Sequence, residues 1–256
     1  MRSTVVCDLD GVVYLGNEAV PGAGDALGRL EAAGHRILFC TNNSSRTRQQ
    51  SAEKITRVTG YGAHIDQIAS SSMAAGRLLE GGRVLVVGGD GVVEAVELAG
   101  GEAVREGPAD AVVVGIDFDF HYDTLHAASK AVREGARFIA TNRDETFPTP
   151  AGLKPGAGSL VAAIAAASGV EPEVAGKPEP TMRRLIAEMT GDGPVVMVGD
   201  RPGTDLAMAV AEGWMSVLVE SGVTPPGAQV EPPPDHVIAD ITELPGLLER
   251  LNACEP

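Results

Sequence analysis

The sequence predicts an α/β protein built on largely parallel sheets, and three observations carry that prediction. Short β-branched runs alternate with Ala/Leu-rich stretches of helical period along the whole chain. Glycines or acidic residues repeatedly stand where an apolar run stops. Finally, the 256 residues are 44% hydrophobic and 21% charged, which suits a folded globular chain with room for one large domain or two small ones.

The elements follow in order. TVVCDL (4–9) reads as a buried strand, and AGDALGRLEAAG (23–34) as a helix stopped by Gly34. RILFCT (36–41) is the second strand and RTRQQSAEKITRV (46–58) the second helix. A strand at RVLVVG (83–88) leads into a helix at 91–100. DAVVVGI (110–116), the helix 122–135 and ARFIAT (136–141) form the next strand–helix–strand run. Helices at 158–169 and 179–191 precede the strand PVVMVG (194–199). The proline-rich stretch 224–234 reads as an ordered loop before a last helix at 242–251.

Two short echoes run through this pattern: LFCTNNS (38–44) with FIATNRD (138–144), and VLVVGGDGV (84–92) with VVMVGDRPG (195–203). They indicate two α/β units of similar style. Glycines 81–82 and the Val-Glu-Pro at 170–172 mark weak boundaries. The expectation is a discontinuous core, 1–80 plus 173–256, interrupted by a second α/β unit at 81–172.

Composition narrows the partners. A formal net charge of −15 weighs against nucleic acid, whose binding is dominated by cationic contacts to phosphates. No stretch reaches the roughly 18 unbroken apolar residues of a membrane helix, and MRSTVVCDLD lacks the apolar core of a secretory signal. Three cysteines without metal-type spacing give neither a disulfide framework nor a zinc site. The cytoplasm is the expected location. An anionic substrate needs a local cation, either a metal ion or a lysine.

Four strand-end clusters supply candidates. Asp8 and Asp10 flank Leu9 at the end of the first apolar run, with Gly11 beyond them. Asp-Gly alone is a turn signal, yet ligands of parallel sheets gather at the carboxyl ends of strands. Thr41, Asn42, Asn43 and Ser44 end the second strand ahead of a helix; a hydroxyl, amides and helix N–H groups suit phosphate oxygens, while simple N-capping is the plainer reading. Lys177, in GKPEP, precedes a helix and offers a compact charge, whereas Lys154 in LKPGAG is a decoy of similar surroundings. Asp200 follows the strand 194–199, and Asp205 lies five residues on. Acids from two strand tips call for a hard cation, and magnesium prefers such oxygen donors.

In this order, DLDGVVYLG, TNNSSRT, ATNRDETFPTPAGLKPGAGSLVAAI, GKPEP and VGDRPGTD resemble the haloacid dehalogenase superfamily, and within it the NagD-type phosphatases. The resemblance spans nearly the whole chain. It implies a Rossmann-like, doubly wound core with an inserted α/β cap of the C2 type. It further implies Asp8 as the nucleophile that becomes an aspartyl-phosphate and Asp10 as general acid and base. Mg2+ would be held by Asp8, the Asp10 carbonyl and Asp200, with Asp205 behind them. Thr41, Asn42 and Lys177 would hold phosphoryl oxygens. The matching cap loop puts Arg143, Asp144, Thr146 and Phe147 nearest the substrate, although Asn142 and Asp144 also suit a plain turn. Relatives often associate through the cap, so a homo-oligomer joined there is a further expectation.

The implied activity is hydrolysis of small soluble phosphomonoesters: glycerol phosphate, phosphoglycolate, nucleotide or sugar phosphate in type. A phosphoacceptor signalling domain also uses strand-end acids, a Thr and a Lys, but predicts a shorter chain without Asp10. A catalytically silent phosphometabolite-binding module would not need both aspartates. Pro202 and Gly203 depart from the family's usual bulky apolar and polar pair in the last motif. The VVGGDGV stretch lacks the full dinucleotide spacing and reads as cap structure.

Overall fold

The computed structural model describes residues 2–149 and 152–254. The chain divides into two compact units, one of residues 1–40, 51–68 and 186–256, the other of residues 41–50 and 69–185. Each carries its own parallel sheet and apolar core.

The first unit is organised by a six-stranded sheet in the order His236–Ile238, Met215–Val219, Val195–Gly199, Thr4–Cys7, Arg36–Thr41, Ile68–Ser70. From Arg36–Thr41 to His236–Ile238 every neighbouring pair is parallel. Thr4–Cys7 is buried along its whole length, as the unbroken β-branched run requires of a central parallel strand. The chain leaves this strand toward one edge and later returns to fill the other side. The strand order therefore reverses beside Thr4–Cys7, the place where doubly wound sheets open a crevice at their carboxyl ends.

Helix Ala23–Ala32 shows why the local sequence folds as it does. Its buried residues, Ala23, Ala26, Leu27 and Leu30, recur at the spacing of one helical face. Gly34 then takes φ 86°, and its N–H closes on the Glu31 carbonyl at 2.8 Å. Leu27 and Leu30 are fully enclosed, each burial contributing about 1.5–3 kcal/mol. The core continues through Phe39, Ile55, Val196 and Val217 to Leu244 of the last helix.

In the second unit a five-stranded parallel sheet runs Glu173–Val174, Arg137–Ala140, Ala111–Val114, Gly82–Val87, Gly101–Val104. Helices Tyr122–Arg133 and Ala157–Ser168 pack on each other and bury Ala128, Val132 and Ile164 against this sheet. A two-stranded hairpin, Thr146–Thr149 with Gly152–Pro155, is separate from it.

Each predicted strand and helix is present, with ends shifted by a few residues. The first strand stops at Cys7 rather than residue 9, so Asp8 and Asp10 both lie beyond it. The last helix is Leu244–Cys254, led by a short 3-10 turn, Ile241–Glu243. Strands Met215–Val219 and His236–Ile238 and helix Ser71–Gly76 add to the predicted set. Cys7 and Cys40 are buried and are not joined in a disulfide. Among the described residues no helix is long and apolar enough to cross a membrane.

Candidate active site

At the carboxyl end of the central strand, the Asp8 N–H donates to the Val198 carbonyl at 2.9 Å, the last rung before the chain turns away. The turn is tight: the N–H groups of Val13 and Tyr14 converge on the Leu9 carbonyl, and Gly11 N–H donates to the Tyr14 carbonyl at 2.8 Å. Gly11 holds φ 90°, a conformation that favours glycine. Glycine is needed there for a second reason, since a Cβ would run into the Asp200 carboxylate.

Asp200 follows the adjacent strand, Val195–Gly199. Gly222 presses on it from another side, and a Cβ at Gly222 would also collide with its side chain. The Val223 N–H donates to Asp200 Oδ2 at 2.8 Å, and the Thr224 hydroxyl donates to the Asp200 carbonyl. Oδ1 of the same carboxylate is buried, and no hydrogen bond within the structure reaches it. Asp205 sits in a π-helical turn, Pro202–Leu206, and accepts the Arg201 N–H at 3.0 Å. Pro202 and Gly203 occupy the start of that turn, so the unusual pair shapes the backbone rather than the carboxylate cluster.

These elements bring together three carboxylates. Oxygens of Asp8, Asp200 and Asp205 lie within 4.8 Å of one another, and the residues are 7%, 1% and 0% exposed. At that separation each charged pair repels by about 3–4 kcal/mol at an effective dielectric of about 20. Anionic oxygens, buried and crowded, with no sulfur or imidazole among them, form a donor set suited to a hard divalent cation. Asp10 is outside this trio of carboxylates; it is partly exposed in the turn and bridges to Tyr14. Tyr14 in turn lies under the buried Lys54, whose Nζ is 3.5 Å from the ring centroid.

A second group gathers in the other unit around Asn42. Its Oδ1 accepts the Lys177 N–H at 2.8 Å, and its Nδ2 donates to the Lys177 carbonyl at 3.2 Å. Nδ2 also donates to the Asp144 carboxylate at 3.2 Å. The Asn42 carbonyl accepts from Ser71 Oγ at 2.6 Å and from Asn142 Nδ2 at 2.7 Å. Thr41 is buried beside this group, its hydroxyl accepting the Asn43 N–H at 3.0 Å. The Thr41–Asn42 and Thr141–Asn142 sequences that echo each other are thus hydrogen-bonded neighbours. Thr141 Oγ1 further donates to Ser44 Oγ at 3.2 Å.

The remaining loop residues are placed as follows. Arg143 is exposed and pairs with Glu171 at 3.4 Å. Thr146 and Phe147 lie on the hairpin, opposite Pro155 and Lys154. The Phe147 ring meets the exposed Phe118 edge-on, with centroids 6.3 Å apart. Lys154 is therefore a hairpin residue, while Lys177 is buried. Sequence reasoning did not single out Ser71, Lys54 or Gly222. Asn142 was visible through the TNRD echo, but its partner was not.

Comparison with known proteins places the chain among similar sequences and structures. The sequence pattern of the haloacid dehalogenase-like hydrolases matches residues 5–102, and that of a HAD-hydrolase-like family matches residues 174–244. The chain is 36% identical over 244 residues to the 5'-nucleotidase YutF of Bacillus subtilis, covering 92% of this chain and 94% of that protein. An acid sugar phosphatase of Staphylococcus aureus is 32% identical over 251 residues, covering 95% and 96%. Among solved structures, a glycerol phosphate phosphatase of Mycobacterium tuberculosis in complex with magnesium superposes with a TM-score of 0.87 at 34% identity. That match covers 95% of this chain and 76% of the other.

Proposed function

Because the chain belongs to the haloacid dehalogenase-like hydrolases, in their NagD-type phosphatase branch, we propose that it hydrolyses small soluble phosphomonoesters through a phosphoryl group carried on Asp8. That it is a phosphatase of small phosphoesters and uses magnesium follows from the family. The residue roles are our reading, and the buried Asp8–Asp200–Asp205 trio is the observation that carries it.

In this reading an Asp8 carboxylate oxygen attacks phosphorus as the bond to the leaving oxygen breaks. Asp10 gives the departing alkoxide its proton. Asp10, now a carboxylate, then takes a proton from water whose oxygen attacks phosphorus, and the Asp8–phosphorus bond breaks to release phosphate. Dividing the displacement between two steps lowers each barrier, and one positioned acid–base group contributes about 10²–10⁴-fold. Asp8, Asp200 and the Asp10 carbonyl would hold magnesium, which when bound would supply charge neutralisation for the phosphoryl oxygens. Asp205 steadies the motif from behind, consistent with its bond to the Arg201 N–H. Thr41, Asn42 and Lys177 are assigned to the phosphoryl oxygens, although the Asn42 carboxamide is largely engaged with Lys177 and Asp144.

The functional division proposed is a catalytic core of 1–80 plus 173–256 and a cap of 81–172. It is supported by the strands Gly82–Val87, Gly101–Val104, Ala111–Val114 and Arg137–Ala140, which all fall inside 81–172, while Glu173–Val174 of the same sheet lies just past that boundary. The leaving-group contacts are assigned to Arg143, Asp144, Thr146 and Phe147. Substrates of the nucleotide, sugar phosphate and glycerol phosphate kinds are the first to test, given the relatives' activities. The cytoplasm and cap-mediated homo-oligomers complete the proposal. A phosphate-release screen over a metabolite panel, with and without magnesium, tests it: metal-dependent turnover of at least one such ester is expected. Absence of turnover across the panel would favour the silent binding module or the signalling domain.

A further inference from the structure

The Asn42 side chain has few hydrogen-bonding positions left to offer a ligand. A carboxamide has two N–H donors and one oxygen. The oxygen takes the Lys177 N–H, which also fixes which end of the amide is which. One donor reaches the Lys177 carbonyl and the other the Asp144 carboxylate. The side chain therefore grips both main-chain polar groups of Lys177, as a neighbouring strand would. The fit is close, since a Cβ on Gly176 would strike Asn42 Oδ1 at 2.6 Å.

The grip is itself held from the loop 142–144. Asn142 Nδ2 donates to the Asn42 carbonyl, and Asn142 Oδ1 accepts the Asp144 N–H at 2.9 Å. Asp144 returns to Asn42 through its carboxylate. The result is a closed ring of hydrogen bonds among Asn42, Asn142 and Asp144. Asn42, Asn142 and Lys177 are each less than a tenth exposed. In a water-poor setting each such bond is costly to leave unmade.

We propose that Asn142 and Asp144 are positioning residues for Lys177, acting through the Asn42 carboxamide, so that the loop assigned to the leaving group also sets the grip on phosphate. The inference rests on the reading that Lys177 holds phosphoryl oxygens. It gives the repeated Thr-Asn sequence a purpose: the first copy clamps the lysine and the second clamps the first. It also gives Asp144 a duty that is independent of any leaving group.

Inhibition by inorganic phosphate tests this, because phosphate has no leaving group. Its inhibition constant is measured with a synthetic aryl phosphate as substrate, in the wild type, Lys177→Ala, Asn142→Ala, Asp144→Ala, Asp144→Asn and the double variant Lys177→Ala/Asn142→Ala. Thermal unfolding establishes that each is folded, and Asn142→Asp replaces Asn142→Ala if the latter is not. Loss of one buried bond to the network should weaken phosphate inhibition about tenfold in Asn142→Ala and Asp144→Ala. Asp144→Asn, which keeps an acceptor oxygen, should recover most of that loss. In the Lys177→Ala background, Asn142→Ala should have little further effect.

Unchanged phosphate inhibition in Asp144→Ala, with an altered ranking of substrates, would overturn the proposal and leave Asp144 as a leaving-group contact. Equal losses from Asn142→Ala with and without Lys177 would overturn it as well. If Lys177→Ala alone left phosphate inhibition unchanged, the underlying assignment of Lys177 would fall, and the inference with it.

Discussion

Lys54 Nζ lies 3.5 Å from the centroid of the Tyr14 ring, and both residues are buried. Tyr14 closes the turn that carries Asp10, through the Gly11 N–H to Tyr14 carbonyl bond and the bridge to Asp10. A buried ammonium over an aromatic face is worth about 2 kcal/mol when desolvated. Tyr14→Leu should therefore lower stability by at least about 2 kcal/mol. Lys54→Met combined with it should cost less than the two single changes added together. Urea unfolding of the four proteins measures the coupling; additive losses would mean that the ring and the cation do not act as a pair.

The Asp200 carboxylate is cradled by glycine. Gly222→Ala would drive a methyl group into a side chain that has no room to retreat. The expected result is a rise of about tenfold or more in the magnesium concentration that half-saturates activity, in line with the 10–100-fold cost of disturbing groups that orient metal ligands. Titrating activity against magnesium checks this. An unchanged magnesium requirement would show that the carboxylate does not need its present position.

His35 predicts a pH dependence of stability. Burial, the larger influence, lowers its pKa below the ordinary value, and its Nδ1 accepts the Ser3 N–H at 3.2 Å, an arrangement suited to a neutral ring. The unfolded chain then binds a proton at a pH where the folded chain does not. The contribution is complete above the unfolded pKa of about 6.5 and is lost as pH falls from there toward the lower folded value. Thermal unfolding between about pH 7.5 and 5 should show a falling midpoint in the wild type. His35→Asn, whose side-chain oxygen can still accept from Ser3, should show a flatter dependence. Parallel curves for the two proteins would remove His35 as the cause.

Phe147 and Phe118 form an edge-on aromatic pair, with Phe118 exposed. If this hairpin reads the leaving group, Phe147→Ala should change kcat/KM among natural esters by about tenfold, one lost aromatic contact being worth about 1 kcal/mol or more. An aryl phosphate panel and a metabolite panel, assayed side by side, give the comparison. A uniform loss across both would count against a selective role.

The parts legible in the sequence were those written into a local pattern. Asp8 and Asp200 could be placed because a β-branched run followed by an acid marks a strand tip, whatever lies around it. The helix Ala23–Ala32 was legible because its apolar residues keep the helical period and Gly34 stops it. The hairpin at Phe147 was not, since Pro148 weakens a strand pattern and Leu153 faces solvent, leaving no alternation to detect. Helix Ser71–Gly76 was hidden by three serines that read as loop, one of which caps it: Ser70 accepts the Met73 N–H. The Asn42–Lys177 clamp joins residues 135 positions apart, and no periodicity reports such a partner. The echo of Thr-Asn sequences hinted at a relation between two loops, but only the fold brings the two copies into hydrogen-bonding distance.

The central claim is that phosphorus is bonded transiently to Asp8. Acid-quenched protein, taken during turnover of an aryl phosphate by an Asp10→Asn variant in which release is slowed, can be digested and its phosphorylated peptide sequenced by mass spectrometry. The account predicts one phosphoryl group on the peptide that contains Asp8, at Asp8 itself, and none when Asp8→Asn is added. A phosphoryl group carried by any other residue, and retained in the Asp8→Asn protein, would contradict it.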